Sequence, residues 1–149
     1  MIIPLPDLAA TDSLARRIAT LLHPGDVVAL SGGLGAGKTT LARAIIAALG
    51  YAGEVPSPSF AIIEVYDPPA LRLRVVHADF YRLEDPEEAV ELGLDDYRSD
   101  AVLIAEWPEH AGGFAHEPTC LSIRLEILEN ERVAIVEAGP DWLERRGWT

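Results

Sequence analysis

The sequence predicts an α/β fold with a central, mostly parallel sheet, antiparallel hairpins at its side and flanking helices. Three observations lead to this prediction. An apolar strand at 27–30 runs into a glycine-rich loop, and helical periodicity follows that loop. The run AVLIAE at 101–106 is apolar on both faces until its last residue, as buried parallel strands are. Segments 121–128 and 132–137 are strands separated by a polar turn, and the first alternates cleanly, which indicates an antiparallel hairpin.

Size and composition fit one domain with a substantial core, and we expect a single domain spanning residues 1–149. Of these 149 residues, 49% are hydrophobic. The formal net charge of -12 argues against strong direct binding of nucleic acid, because such binding rests on neutralising phosphates with Lys and Arg. The same negative charge argues against binding to an anionic membrane surface. The charge is compatible with docking on a basic protein partner, and also with a role in solubility alone.

The cysteine content and the first residues bear on the compartment. The single cysteine, Cys120, excludes an internal disulfide and a cysteine-based zinc site, and its place beside an alternating apolar run predicts a small core residue. The opening letters MIIPLPDL lack the basic and long apolar regions of a signal peptide. No segment approaches the roughly 18 uninterrupted apolar residues of a membrane span. We therefore expect a cytoplasmic protein without membrane association.

The first predicted helix covers residues 11–22, where the apolar residues fall on one face and Pro24-Gly25 follows as a stop. Three polar residues at its start offer N-caps: Thr11, Asp12 and Ser13. The apolar strand and the glycine loop come next. Beyond the loop, apolar residues recur at helical spacing from Leu41 to Leu49, and Gly50 supplies the C-terminal stop. Strand, glycine loop and helix are thus predicted in that order.

The middle of the chain is predicted to hold two strands, 61–66 and 71–79, joined by the turn 67–70. The preceding segment VPSPSF, at 55–60, contains two prolines and is predicted to have no regular structure.

The last third of the chain is predicted to contain two short helices besides its strands. One has Asp85 as N-cap, with a glutamate in reach of a capping box, and ends at Gly93. The hairpin turns through 129–131. The tail, 140–148, is predicted as a short helix that packs through two residues, Trp142 and Leu143.

The stretch GGLGAGKTT at 32–40 matches the phosphate-binding pattern G-x-x-x-x-G-K-[ST]. Backbone N–H groups of such a loop converge on a phosphate, and side chains would obstruct that approach. The following helix adds its N-terminal partial positive charge. Lys38 is placed to reach the β- and γ-phosphates, and the Thr39 hydroxyl to bind Mg²⁺. We expect the nucleotide contacts from the loop residues Gly33, Leu34, Gly35, Ala36, Gly37, Lys38, Thr39 and Thr40.

Two acidic residues stand where apolar strands end. Asp79 ends the VVHAD strand and Glu106 ends the AVLIAE strand. Mg²⁺ is usually bound by one or two carboxylates together with phosphate oxygens and water. The carboxyl ends of parallel strands are also the edge at which open α/β sheets bind ligands. We therefore expect one carboxylate to hold the metal and the other to orient the attacking water.

With these motifs the chain resembles the TsaE family, small bacterial P-loop ATPases of threonylcarbamoyladenosine biosynthesis in tRNA. Four pieces carry the resemblance in order: LGAGKTT at 34–40, SPSF at 57–60, HADFYRL at 77–83 and AEWPE at 105–109. The run ELGLDDY at 91–97 also resembles the segment between the last two. The chain departs from the family at two positions. The family usually has Asp where Gly33 stands and Thr where Ser59 stands. Ser59 keeps the hydroxyl, whereas Gly33 loses an acid beside the phosphates, which bears on the rate of hydrolysis rather than on binding.

The resemblance implies a P-loop domain that binds ATP and Mg²⁺ and hydrolyses ATP without itself modifying the tRNA. It implies two partners, a catalytic subunit that transfers the threonylcarbamoyl group and a non-catalytic paralogue of that subunit. ATP turnover would reset this assembly between rounds of transfer. By position, Thr39 and Glu106 hold Mg²⁺, while Asp79 positions the water or assists at the metal. Lys38, Asp79 and Glu106 form the implied catalytic set.

The resemblance also bears on residues outside this set. Thr11 and Arg132 correspond to positions near the base, and SPSF to a mobile loop near the γ-phosphate. His77 is interpreted as a structural hydrogen-bonding residue. Three further residues have two interpretations each, a role at the site or partner surface and a role as core or solvated surface: Trp107, Tyr81 and Arg82.

Three other functions stay open. A small-molecule or nucleoside kinase needs an acceptor pocket and usually a basic lid, whereas this chain has only 12 Lys and Arg. A GTP switch commonly uses an N-K-x-D segment, which the sequence lacks. No feature of the sequence excludes an assembly module that binds ATP without significant turnover. The missing acid at Gly33 favours this third function. For an ATPase we expect slow turnover alone, because no arginine is clearly aimed at the γ-phosphate and Arg82 is a weak candidate.

Overall fold

The computed structural model describes residues 1–58 and 62–148. In chain order the elements are β1 (Ile2–Pro4), α1 (Leu8–Leu21), β2 (Val27–Gly32), α2 (Lys38–Ala48), β3 (Ile63–Tyr66), β4 (Val75–Asp79), α3 (Glu87–Glu91), α4 (Leu94–Arg98), β5 (Val102–Glu106), a 3-10 helix (Pro108–Ala111), β6 (Cys120–Leu128), β7 (Glu131–Ala138) and α5 (Pro140–Leu143). The predicted SPSF loop and the predicted strand at 61–66 fall partly on residues 59–61, which lie outside the described residues. Within the described ranges, no helix is both long enough and apolar enough to cross a membrane.

The strands form one sheet in the order β1-β7-β6-β2-β5-β4-β3. β2 pairs in parallel with both β5 and β6, and β5 pairs in parallel with β4, so the four central strands run the same way. Antiparallel strands complete the sheet, with β7 and β1 beyond β6 and β3 beyond β4. The predicted α/β fold, with a parallel centre and antiparallel hairpins at the side, is confirmed.

The register brings the predicted site residues to one edge of the sheet. Asp79 and Glu106, the last residues of β4 and β5, lie opposite each other. Glu106 also lies opposite Leu30 of β2, two residues before the end of that strand at Gly32. The two acidic residues and the glycine loop therefore leave the sheet side by side, at the carboxyl ends of its parallel strands.

Alternate residues of β2 pack into two apolar layers on opposite faces of the sheet. Val28 and Leu30 join the layer that contains the buried faces of α1 and α2. Val27 and Ala29 join the layer that contains the buried residues of α3 and α4. Cys120 belongs to this second layer and is buried, as predicted.

The start of the first helix was predicted too late. α1 begins at Leu8, because the side chain of Asp7 accepts a hydrogen bond from the backbone N–H of Ala10 (2.9 Å) and caps it there. The predicted N-caps were wrong, since the chain is already helical at Thr11, Asp12 and Ser13. The apolar stripe begins at Leu14, so the periodicity alone contained no signal for the earlier turn.

Two strands and one helix also differ from the prediction. β4 begins at Val75, and residues 71–74 do not form a strand. β1 was not predicted; it pairs with β7 at the edge of the sheet, where proline is tolerated. Gly93 ends α3 as predicted, but its left-handed backbone (φ 81°) also begins α4, which was not predicted.

The tail packs through a different pair of residues from the one predicted. Trp142 is buried as expected, whereas Leu143 is 58% exposed. α5 is a single turn, so the chain folds back and Trp148 fills the place expected for Leu143, with its ring centroid 5.5 Å from that of Trp142. The prediction for Leu143 was wrong because it assumed a longer helix.

Candidate nucleotide-binding site

The glycine loop connects β2 to α2 and needs glycine at specific positions. Gly32 has φ 133°, and a Cβ atom there would lie 2.5 Å from the carbonyl oxygen of Leu125 on the neighbouring strand. Gly37 has φ 106° and immediately precedes the first residue of α2, Lys38. Side chains at these two positions would be strained or would clash, so the loop keeps its curl only with glycine.

Lys38 is held over its own loop. Its Nζ donates to the carbonyl oxygens of Gly32 (2.8 Å) and Gly33 (2.7 Å) and lies 4.4 Å from the ring centroid of Trp107. Burial lowers the pKa of the Lys38 ammonium, while nearby carboxylates, Glu106 foremost, oppose that shift. An incoming phosphate offers this ammonium an ionised partner, which binds a charged donor more strongly than carbonyl oxygens do.

Glu106 joins three elements through its carboxylate. Its Oε1 accepts a hydrogen bond from the Thr39 hydroxyl on α2 (2.7 Å), and its Oε2 lies 2.6 Å from Nε2 of His77 on β4. The Glu106 side chain is almost completely buried. Burial of a carboxylate is tolerated when its oxygens are hydrogen-bonded, as they are here.

Asp79 faces the same space from the adjacent strand. It is buried, and its Oδ1 accepts a hydrogen bond from the backbone N–H of Tyr81 (3.0 Å). A cavity of about 260 Å³ brings it together with most of the predicted loop residues. The lining residues are Leu34, Gly35, Gly37, Lys38, Thr39, Thr40, Asp79, Glu106 and Trp107. The structure thus brings together the three residues of the predicted catalytic set.

The oxygen donors at this edge fit a hard divalent cation. The Thr39 hydroxyl and the Glu106 carboxylate already meet at 2.7 Å, and both are oxygen ligands of the kind that Mg²⁺ prefers. Within residues 1–58 and 62–148, no three His, Cys, Asp or Glu side chains cluster so as to hold a metal ion by themselves. A cation bound through Thr39 and Glu106 would take further ligands from phosphate oxygens and water.

Thr11 and Arg132 lie on the far side of the glycine loop. Both line a small cavity with Ala36, Gly37 and Thr40, and both also line a larger one of about 660 Å³. The larger cavity is bounded by the chain segments 4–8 and 127–132. The structure therefore places the two predicted base-side residues next to the loop, away from the carboxylates, and their contact with a base stays a prediction.

Gly33 is the one loop position where the predicted nucleotide contact involves a departure from the family pattern. Its carbonyl accepts from Lys38, and a Cβ atom added to it would meet no heavy atom within 4 Å. The backbone at Gly33 would thus accept a side chain, and the absence of an acid there has no steric cause.

Trp107 lines the cavity and packs against two further rings, and we call Tyr81, Trp107 and His110 the aromatic rim. The ring centroids of Tyr81 and Trp107 are 5.0 Å apart, and those of Trp107 and His110 are 5.3 Å apart. His110 Nδ1 contacts the carbonyl oxygens of Phe80 (3.1 Å) and Tyr81 (2.9 Å), which ties the rim to the end of β4. Trp107 lines the cavity and also packs against the second apolar layer, so the structure supports both of its interpretations. His110 was not predicted, and its place four residues after Glu106 was the one available signal.

Comparison with known proteins gives consistent matches. The family model described as "Threonylcarbamoyl adenosine biosynthesis protein TsaE" matches residues 5–134. A Streptomyces coelicolor protein named "tRNA threonylcarbamoyladenosine biosynthesis protein TsaE" is 45% identical over 115 residues, which cover 76% of each chain. A Rickettsia prowazekii protein of the same name is 33% identical over 82% of this chain and 83% of its own. The crystal structure of Bacillus subtilis YdiB has a TM-score of 0.75 at 27% identity and covers 96% of this chain and 88% of that one.

Proposed function

This chain belongs to the TsaE family, and from that premise we propose that it is the Mg²⁺-dependent ATP-binding and ATP-hydrolysing subunit of threonylcarbamoyladenosine synthesis in tRNA. The observation that carries the proposal is the contact between Thr39 and Glu106, beside Lys38 and in register with Asp79. A hydroxyl, two carboxylates and an ammonium around a glycine loop are the parts that a P-loop ATPase uses.

The loop and Lys38 bind the phosphates. The backbone N–H groups of residues 33–40 surround the phosphate chain, helped by the N-terminus of α2. Lys38 leaves the carbonyl oxygens of Gly32 and Gly33 and pairs with the β- and γ-phosphate oxygens. Thr39 and Glu106 hold Mg²⁺, which when bound supplies positive charge to the phosphate oxygens during transfer.

Asp79 orients the attacking water. It lies one strand from Glu106 at the same level of the sheet and lines the same cavity. A carboxylate at this place accepts a hydrogen bond from the attacking water. This hydrogen bond turns a lone pair of the water oxygen toward the γ-phosphate. Glu106 binds the cation and Asp79 orients the attacking water, so each acidic residue has a separate role.

The base occupies the other side of the loop, against Thr11 and Arg132. The cavity there is large enough for a base and ribose and is bounded by Leu5 and Ile127 as apolar walls. Arg132 is exposed and offers its planar guanidinium to the base or ribose.

The chain acts together with protein partners. Among the described residues that line the phosphate cavity, Lys38 is the one cationic side chain. Phosphoryl transfer by P-loop enzymes commonly uses a second cation, in cis or from a partner. The partners proposed are the subunit that transfers the threonylcarbamoyl group and its non-catalytic paralogue, in the cytoplasm. The charge of -12 favours a basic protein face over direct binding of the tRNA.

Product analysis tests this function against its alternatives. The chain is incubated with Mg²⁺ and labelled ATP, alone and with the two partner subunits, and the products are separated. If the chain is an ATPase, ADP and inorganic phosphate form, and their amount rises as the partner subunits are added. Labelled phosphate on a nucleoside or coenzyme precursor would support a kinase instead. Tight ATP binding without any product, with or without partners, would support an assembly module.

A further inference from the structure

His77 is a polar residue in an otherwise apolar strand. It is completely buried in β4, between Val76 and Ala78, which are also completely buried. A buried polar ring costs free energy unless it is hydrogen-bonded, so its place needs a specific partner. That partner is Glu106, whose Oε2 lies 2.6 Å from His77 Nε2.

The direction of this hydrogen bond follows from the chemistry of the carboxylate. Glu106 carries no hydrogen when ionised, and its Oε1 already accepts from the Thr39 hydroxyl, so Nε2 of His77 donates to Oε2. His77 Nδ1 is buried and has no hydrogen-bond partner among the described residues. The ring therefore gives its one polar contact to a single oxygen of Glu106.

The two contacts of Glu106 have different consequences for a cation. Thr39 and Oε1 of Glu106 are the pair proposed to serve Mg²⁺, so their mutual hydrogen bond competes with that role. The contact from His77 is made to the other oxygen, from another element, and does not compete with it. Among the hydrogen bonds of the described residues, this is the one that fixes the carboxylate independently of the cation.

We propose that His77 is a positioning residue, which anchors Oε2 of Glu106 so that Oε1 stays aimed at Thr39 and the cation. The inference rests on the proposed Mg²⁺-ATP function and adds a residue to it. Outer partners of this kind orient the ligand carboxylate, and their loss typically lowers metal affinity by about 10–100-fold. The effect of His77 should therefore appear only when Mg²⁺ is present.

A pair of amide variants separates positioning from packing. The amide nitrogen of Gln takes nearly the place of imidazole Nε2, whereas that of Asn takes the place of Nδ1 and does not face Glu106. ATP affinity is measured by calorimetry in Mg²⁺ and in EDTA for wild type, His77→Gln and His77→Asn. Tyr66→Phe, which removes another buried polar atom outside the site that has no hydrogen-bond partner among the described residues, is the control for stability.

We expect His77→Asn to lower the ratio of ATP affinity in Mg²⁺ to that in EDTA by about 10–100-fold, with little change in EDTA. His77→Gln should keep that ratio close to wild type, and Tyr66→Phe should leave it unchanged. An unchanged ratio in His77→Asn, or an equal loss in Mg²⁺ and EDTA, would overturn the positioning role. If the wild type itself shows no Mg²⁺-dependent binding, the proposed function fails rather than this inference. If His77→Asn does not fold, His77→Leu, which keeps the volume without a donor, is measured for the same ratio.

Discussion

The hydroxyl of Thr39 on α2 donates to the carboxylate of Glu106 at the end of β5, across 2.7 Å and 67 residues of chain. This contact joins the helix that follows the glycine loop to β5, one of the four central strands of the sheet. It also brings together the two oxygen groups proposed to share a cation.

Loss of the Lys38 charge should weaken ATP binding. Lys38→Met keeps the apolar stem beside Trp107 but removes the ammonium, so it isolates the charge from the packing. A charged hydrogen bond contributes about 1.5–3 kcal/mol, which corresponds to a loss of affinity of tenfold or more. Calorimetric titration with Mg²⁺-ATP measures it, with Arg16→Met, an exposed position on α1, as control. Equal affinity of Lys38→Met and wild type would contradict the phosphate-binding role of the loop.

The two acidic residues should differ in kind when each is replaced by its amide. Glu106→Gln removes the negative charge that would pair with the cation. It should therefore weaken ATP binding in Mg²⁺ and leave ATP binding in EDTA unchanged. Asp79→Asn should leave binding nearly unchanged and lower phosphate release by about 10²–10⁴-fold, the usual contribution of a positioned acid or base. Binding and turnover are measured on both variants. The reverse pattern would exchange the two roles, and no effect from either would refute both.

Mg²⁺ alone should bind weakly. The proposed protein ligands are two, Thr39 and Glu106, and Mg²⁺ usually completes such a set with phosphate oxygens and water, so ATP should strengthen its binding. Thermal unfolding is measured with Mg²⁺, with ATP in EDTA, and with both. We expect little stabilisation by Mg²⁺ alone and the largest by Mg²⁺ with ATP. A shift with Mg²⁺ alone as large as the shift with both would show a self-sufficient metal site.

ATP binding should change the fluorescence of one tryptophan. Of the three tryptophans, Trp142 and Trp148 are fully buried in the core, whereas Trp107 lies against Lys38 at the cavity. When a phosphate draws Lys38 away, the surroundings of Trp107 alone should change. Trp107→Phe should therefore abolish the signal, and Trp142→Phe should retain it. A fluorescence change on ATP binding that survives in Trp107→Phe would show that another tryptophan reports the binding.

The C-terminal tail should contribute strongly to stability through one buried ion pair. The two terminal guanidinium nitrogens of Arg145 each donate to a different carboxylate oxygen of Asp26 (2.6 and 2.7 Å), and the Asp26 side chain is almost completely buried. Arg145→Met leaves this carboxylate without its cation and should lower the free energy of unfolding by about 3–5 kcal/mol. The exposed pair Arg74–Asp67 is the control, since Arg74→Met should cost no more than about 1 kcal/mol. Urea unfolding measures both, and equal losses would contradict the difference in burial.

Much of the site could be predicted because its signals are local or follow from a parallel sheet. The loop spacing located Lys38 and Thr39, and the ends of two apolar strands located Asp79 and Glu106, since parallel neighbours end at one edge. The contacts that depend on tertiary packing could not be predicted. Spacing along the chain does not show that His77 reaches Glu106, or that His110 returns to the end of β4.

The differences in the fold have the same origin. The edge strand β1 depends on how the first residues lie against β7, which no short-range pattern encodes. Trp148 takes the place expected for Leu143 because the last helix is one turn long and the chain reverses after it. In each case a contact between distant residues outweighed the local propensity.

The most direct test of the central claim is the rate of phosphate release from Mg²⁺-ATP by the purified chain, alone and with the two partner subunits, at low and high salt. We expect slow release alone and faster release with the partners, because the phosphate cavity has one cation of its own among its described lining residues. The stimulation should fall at high salt, since an acidic surface docks on a basic one. Full activity of the isolated chain without stimulation would contradict the dependence on partners, and no release under any of these conditions would contradict the ATPase itself.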